Sequence, residues 1–240
     1  MVTFGLVHGA SHGGWCWTRV APLLEERGHR VVAPDLPCDD PEAGLGEYAD
    51  VVLDALGADD DVVLVGHSLG GLVIPVVAER RAVRGMIFLC SVPTGPGPAI
   101  DAGLADMVTP AFVEGARDFD AHGGDRLRPS AALTVWYDDC DPEDAAWAVV
   151  RLRFQSRRPL VEASPLGRWP AVPLEVVLGR DDACVRMAWA IPAARARLDG
   201  RTPVLLDGGH SPFLARPEEL TAVLDHIVRH GALRPAGAPA

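Results

Sequence analysis

Asp61-Val-Val-Leu-Val-Gly66-His-Ser68-Leu-Gly70-Gly-Leu-Val-Ile-Pro-Val-Val-Ala78 decides the fold of this chain. An apolar run from Val62 to Val65 reads as a buried strand, and the apolar stretch from Leu69 to Ala78 reads as a helix. Only Gly66-His67-Ser68-Leu69-Gly70 separates them. Strand and helix must nearly touch at so tight a turn, so a side chain at 66 or 70 would clash; glycine removes the clash and tolerates the strained backbone. Ser68 is left at the apex, at the start of a helix, where free N–H groups and the helix dipole favour a developing negative charge. The pentapeptide has the G-x-S-x-G pattern of a nucleophile elbow, and its placement between a strand and a helix makes the signal specific.

A nucleophilic serine needs a base, a group that orients the base, and donors for the oxyanion. Val2 to Val7 is an apolar run ending in His8-Gly9-Ala10, a loop placed to supply a second oxyanion N–H. The donors are then the backbone N–H groups of Ala10 and Leu69. Near the other end, Pro203-Val-Leu-Leu206 reads as a strand running into Asp207-Gly208-Gly209-His210, a flexible turn able to swing His210 over a sheet edge. Leu174-Glu-Val-Val-Leu178 is a further strand, followed by Gly179-Arg180-Asp181-Asp182, which delivers a carboxylate. The order Ser, Asp, His belongs to one of three unrelated triad lineages. Spacing alone does not choose between Asp181 and Asp182.

Val7-His8-Gly9-Ala10-Ser11-His12-Gly13-Gly14-Trp15-Cys16-Trp17, the elbow from Gly66 to Gly71, and Gly208-Gly209-His210-Ser211-Pro212 together resemble the α/β-hydrolase family. The first part is similar to its plant methyl esterase and hydroxynitrile lyase branch. The resemblance runs in order from about Val2 to about His230, with the middle matching only in position and length. It implies a doubly flanked sheet of about six mostly parallel strands with a small helical cap, and it implies a G-x-x-D acid, which falls on Gly179 and Asp182. One departure points to the esterase side. The chain has no lysine, and all 22 basic residues are arginine. The lyases carry lysine directly after the catalytic histidine and threonine where this chain has Gly9; here Ser211 follows His210. The missing lysine also excludes Schiff-base catalysis and a Walker-type phosphate loop.

The remaining sequence agrees. A chain of 240 residues with 48% hydrophobic content holds one α/β domain with a modest insertion. Strands are expected near 2–7, 30–34, 61–65, 85–90, 174–178 and 203–206. Helices are expected near 15–27, 45–57, 69–81, 185–198 and 214–229. Such alternation predicts a parallel sheet covered on both faces, with Ser68, Asp182 and His210 on one edge. The rhythm breaks after Pro93-Thr94-Gly95-Pro96-Gly97-Pro98, a loop signature. The expected organisation is a core of residues 1–93 and 169–230, an inserted, mostly helical cap over 94–168, and a flexible tail over 231–240. A net charge of −11 argues against nucleic acid and anionic membranes. The five cysteines, Cys16, Cys38, Cys90, Cys140 and Cys184, are odd in number and scattered, which suits reduced thiols in a cytoplasm. No apolar run reaches the ~18 residues of a membrane span, and the chain enters a strand at once, without a signal peptide.

Other residues invite competing readings. His8 is read as shaping its loop, and His12 either as packing or as pocket rim. His122, His226 and His230 are read as surface. Asp138-Asp139-Cys140-Asp141 resembles a calcium loop at a glance, but its spacing fits none; Asp141-Pro142 reads as a helix cap, so no metal is expected. Trp15 and Trp17 are read as packing the oxyanion loop. Gly9, His67, Trp136 and Trp147 are the candidate substrate-binding residues. Phe112, Phe119, Tyr137 and Phe154 either join them or form the cap's own core. The expected function is cofactor-free hydrolysis of a small to medium apolar carboxylic ester through an acyl-enzyme on Ser68. The same triad also serves thioester cleavage, cyclisation, carbon–carbon bond hydrolysis or perhydrolysis, and related proteins act as small-molecule receptors. The partner is a small-molecule substrate; a homodimer is left open.

Overall fold

The computed structural model describes residues 1–233. In chain order, β1 (Thr3–Val7), α1 (Val20–Glu26), β2 (Arg30–Val32), α2 (Leu45–Leu56), β3 (Val62–His67), α3 (Gly70–Arg80) and β4 (Gly85–Leu89) form the first part. A long excursion follows, with α4 (Leu104–Met107), α5 (Pro110–Glu114), the hairpin β5 (Arg117–Phe119) and β6 (Asp125–Leu127), α6 (Pro129–Val135), α7 (Pro142–Val149) and α8 (Arg158–Val161). The chain then returns through β7 (Leu174–Gly179), α9 (Met187–Arg197), β8 (Val204–Leu206), α10 (Pro212–Ala215) and α11 (Pro217–Arg229).

Six strands pair in the order β2-β1-β3-β4-β7-β8, every pair parallel. Such a sheet is buried on both faces, and its central strands read as continuous apolar runs. β3 has no exposed residue. Its side chains alternate, as a strand requires. Val63 and Val65 join Phe4, Leu6, Ile87 and the α11 residues Leu220 and Leu224 on one face. Val62 and Leu64 join Val52, Val73, Phe88 and Ala190 on the other. α11 shows why it forms: Pro217 at its first turn, Glu218 and Glu219 beside the positive end, and Arg229 at the negative end.

Register positions the site. Val7 lies opposite Gly66, and His67 opposite Leu89. The strand order reverses around β1, so the loops after β1 and β3 flank the crevice where such sheets bind ligands. On the other side, Gly179 lies opposite Leu206, which sets the loops after β7 and β8 side by side.

Three differences from the sequence reading have physical causes. The expected helix 15–27 is a 3₁₀ turn, Gly14–Trp17, and then α1; the last helix is split at Pro217, which cannot donate to the preceding turn. The excursion, read as mostly helical, contains the β5–β6 hairpin, too short to show periodicity. Leu233, within the expected tail, is 1% exposed and packs into the core. The rest of that expected tail, residues 234–240, lies outside the described residues. Among the described residues no helix is long and apolar enough to cross a membrane.

Candidate active site

Ser68 directly follows β3 with φ at +49°, in the left-handed region that non-glycine residues rarely occupy. Crowding explains the glycines around it. A Cβ at Gly66 would stand 2.6 Å from the Gly70 carbonyl oxygen, and one at Gly70 would stand 2.5 Å from that of Val7. Strand, turn and helix touch through backbone alone. The turn is also held from β4: the Ser91 hydroxyl donates to the Ser68 carbonyl at 2.8 Å. No sequence motif marks Ser91, and only its place after the neighbouring strand points to it.

Asp182 and His210 form a buried pair. His210 Nδ1–H donates to Asp182 Oδ2 at 2.8 Å, and Asp182 Oδ1 accepts the N–H groups of Cys184 and Val185, each at 2.8 Å. Asp181 is exposed, and of the two aspartates that spacing left open it is Asp182 that pairs with His210. Burial disfavours the His210 imidazolium, but the Asp182 carboxylate outweighs it and holds the group well above the usual histidine range. His210 adjoins the elbow through His67, whose ring centroid lies 4.8 Å away and whose Nε2–H donates to the His210 carbonyl at 2.9 Å. No hydrogen bond links the Ser68 hydroxyl to His210 among the described residues.

Three further histidines are neutral by construction. His8 donates from Nδ1 to the Gly9 carbonyl and accepts the Leu36 N–H at Nε2. His12 donates from Nδ1 to the Ala10 carbonyl and accepts the Tyr137 hydroxyl at Nε2. Burial lowers His8 to about 4 and His12 to about 3. Burial, with His210 beside it, holds His67 well below its usual range. The three rings fix loops and stay neutral in the pH range of most enzymes, each keeping one ring N–H and gaining no second.

Ala10, Ser68 and Leu69 open onto one apolar cavity of about 120 Å³, roofed by Met107, Phe112 and Trp136. The backbone N–H groups of Ala10 and Leu69 have no hydrogen-bond partner among the described residues. Cys90 and Cys184 also face this space. The cavity shares Ala10, Leu104, Phe112 and Trp136 with a wider outer cleft of about 400 Å³ over Ser11.

Of the four candidate substrate-binding residues, Trp136 lines the cavity. Gly9 lies beneath it, because a Cβ there would stand 2.7 Å from His67 Nδ1 and 3.0 Å from Ser68 Cβ. His67 is absent from the cavity lining: it is wholly buried, and its Nε2–H bonds the His210 carbonyl. Trp147 is absent from the lining too. It packs edge-on against Trp15, with centroids 5.3 Å apart, and carries the Arg151 guanidinium on its face.

The excursion also holds the loop after β1. The Arg153 N–H donates to the Ser11 carbonyl at 2.8 Å, and the Ser11 N–H to Gln155 Oε1 at 3.3 Å. Buried Gln155 spends its amide on the Tyr48 hydroxyl and the Ser156 carbonyl. The sequence reading missed Gln155, because a lone glutamine in a loop carries no motif.

Residues 6–223 match the model of the "Alpha/beta hydrolase family". The chain belongs to that family. Across 97% of the chain and 94% of the relative, it is 30% identical to a pyrethroid hydrolase of Sphingobium wenxiniae. It is 34% identical to methylesterase 1 of Arabidopsis thaliana, over 51% of this chain and 52% of that one. A crystal structure of a pyrethroid hydrolase from Sphingobium faniae superposes with a TM-score of 0.72 at 25% identity, covering 97% and 99% of the two chains. Similarity to a plant methyl esterase agrees with the branch resemblance carried by the loop after β1, the elbow and the His210 turn.

Proposed function

We propose that this α/β hydrolase cleaves carboxylic esters through an acyl-enzyme on Ser68. The observation that carries the reading is one apolar cavity bordered by Ser68 and by two N–H groups without a partner among the described residues, with the buried Asp182–His210 pair adjoining the elbow through His67. The names borne by the relatives, a pyrethroid hydrolase and a methylesterase, support the same bond type.

The ester carbonyl sits where Ala10 and Leu69 N–H reach its oxygen. Catalytic hydrogen bonds are often long in the free enzyme and tighten on substrate, so the Ser68 hydroxyl closes onto His210 Nε2 as the ester enters. His210 takes the proton as the hydroxyl attacks. Asp182 holds Nδ1–H and stabilises the imidazolium, while the two N–H groups take the negative charge that develops on the oxygen. The imidazolium then gives its proton to the departing alcohol. Water, deprotonated by His210, releases the acid and restores Ser68. No step needs a cofactor.

The cavity is lined mainly by apolar groups, which suits an apolar acyl or alcohol part. The outer cleft beyond Trp136 gives the second half of the ester room. The test is hydrolysis of a panel of apolar aryl and alkyl esters with Ser68→Ala beside the unaltered protein. Loss of turnover in a variant with an unchanged circular dichroism spectrum supports the reading, as does phosphonylation of Ser68 by a fluorophosphonate. Full activity of the variant on every accepted ester sinks it.

A further inference from the structure

His210 stands at the end of Asp207-Gly208-Gly209, and two successive glycines are a poor foundation for a base that must be placed to a fraction of an ångström. From the β7 side the turn is held by the Asp181 N–H on the Gly208 carbonyl, at 3.0 Å. The second anchor comes from the excursion. Asp139, just past α6, accepts the Gly209 N–H at Oδ2 at 3.0 Å, and the same oxygen accepts Arg216 Nη1 at 2.7 Å. Arg216 itself follows α10, on the far side of His210. One carboxylate oxygen thus ties the residue before His210 to the helix after it.

The glycines admit this contact. Gly208 has φ at +102°, and a Cβ on it would stand 2.3 Å from Asp139 Oδ2. A Cβ on Gly209 would stand 2.7 Å from Asp138 Oδ1 and 3.0 Å from Asp139 Oδ1. Asp139 Oδ1 is buried with no partner among the described residues. A buried acceptor without a donor costs about 1–3 kcal/mol, which is unfavourable for an acid whose only role is to cover surface. The acidic run around Asp139, read from sequence as a solvated helix cap, has one member turned inward onto the histidine turn.

We infer that Asp139 is a positioning residue for His210: through Gly209 N–H and Arg216 it fixes the turn that carries the base, so the covering segment sets catalytic geometry in the core. The inference rests on the proposed role of His210. Asp139 touches neither substrate nor reacting atoms, so its removal costs turnover rather than binding. Displacement of a catalytic group by about 1 Å can cost up to about 100-fold.

The experiment compares Asp139→Ala, Asp139→Asn and Arg216→Met with the unaltered protein on one accepted aryl ester, with Ser68→Ala as control. Asp139→Ala is expected to lower kcat about 10- to 100-fold with KM within about twofold, and to slow fluorophosphonate labelling of Ser68 by the same factor. Asp139→Asn keeps an oxygen acceptor for the Gly209 N–H and is expected to recover most of the rate. Arg216→Met leaves that acceptor in place and gives an intermediate loss. It also serves as the deciding variant, with Asp139→Asn, if Asp139→Ala does not fold. A folded Asp139→Ala protein with unaltered kcat and labelling rate, while Ser68→Ala is inactive, overturns the inference and leaves the hydrolase reading standing. An active Ser68→Ala protein overturns both.

Discussion

Tyr137 donates its hydroxyl to His12 Nε2 at 2.8 Å, and the opposite nitrogen of the same ring donates to the Ala10 carbonyl at 2.7 Å. A residue of the covering segment therefore fixes, through one neutral imidazole, the peptide beside the proposed oxyanion donor. Both side chains are buried. Tyr137→Phe leaves His12 Nε2 without a donor in a dry site, a change expected to cost about 1–3 kcal/mol. Urea denaturation followed by fluorescence measures this directly. A midpoint equal to that of the unaltered protein would show that the bond adds nothing.

Asp182, which accepts the His210 Nδ1–H, is the proposed acid. Asp182→Asn removes the carboxylate that holds the His210 tautomer, and turnover should fall on the order of 10⁴-fold. Asp181 is exposed, and Asp181→Asn should stay within about threefold of normal. Steady-state rates on one ester settle the ranking, and the reverse order would move the acid one residue back.

His210 must be unprotonated to accept the Ser68 proton, and Asp182 holds its pKa well above the usual histidine range. The value of kcat/KM should therefore rise with pH through an apparent pKa higher than 6.5. In Asp182→Asn the effect of burial remains and the carboxylate is gone, so the residual limb should move to lower pH. A pH–rate profile of both proteins, in which the limb of the variant shifts upward instead, would contradict this account.

Buried neutral histidines make the fold sensitive to acid. The folded value of His8 is about 4 against an ordinary 6.5, so between those limits the unfolded chain binds more protons and stability falls as pH falls. His12 acts in the same direction. The loss at pH 4 relative to pH 7 should be on the order of 3 kcal/mol for His8 alone. Thermal melts from pH 7 to pH 4 should show a steadily falling midpoint; a flat profile would mean that these rings gain protons without unfolding.

Gly70 carries the closest approach between α3 and β1. A methyl group there meets the Val7 carbonyl at 2.5 Å and the His8 carbonyl at 2.8 Å, both of them backbone. Gly70→Ala should destabilise by about 1–3 kcal/mol or more and displace the elbow. Gly46→Ala, at a half-buried position in the first turn of α2, meets nothing closer than the Arg80 guanidinium at 3.4 Å and should be neutral or mildly stabilising. Paired urea midpoints of the two variants test the contrast.

The core was legible because its signals are local. Val62–Val65 shows a strand by apolarity alone, and Gly66 and Gly70 show a close approach by being glycine. The resemblance then ordered Ser68, Asp182 and His210 along one lineage, with the Gly179 spacing selecting Asp182. What stayed hidden depends on contacts between distant segments. Asp139 on Gly209, Gln155 on Ser11 and Tyr137 on His12 join residues 70 to 144 positions apart, and none sits in a periodic pattern. Aromatic composition was likewise silent about direction: Trp136 faces the cavity while Trp147 packs edge-on against Trp15. The short hairpin β5–β6 was lost to its own brevity, at three residues a strand.

Contacts of Arg153 and Gln155 with Ser11 bear on any attempt to redesign specificity by domain exchange. A chimaera that borrows its lid from another hydrolase would import new walls for the ligand, yet would also strip hydrogen bonds from the N-terminal loop of the recipient. Such a graft needs that one donor, the Arg153 N–H, and that one acceptor, Gln155 Oε1, transplanted with it. Point changes at wall positions such as Met107 or Phe112 leave that stitching untouched and are the safer route to altered selectivity.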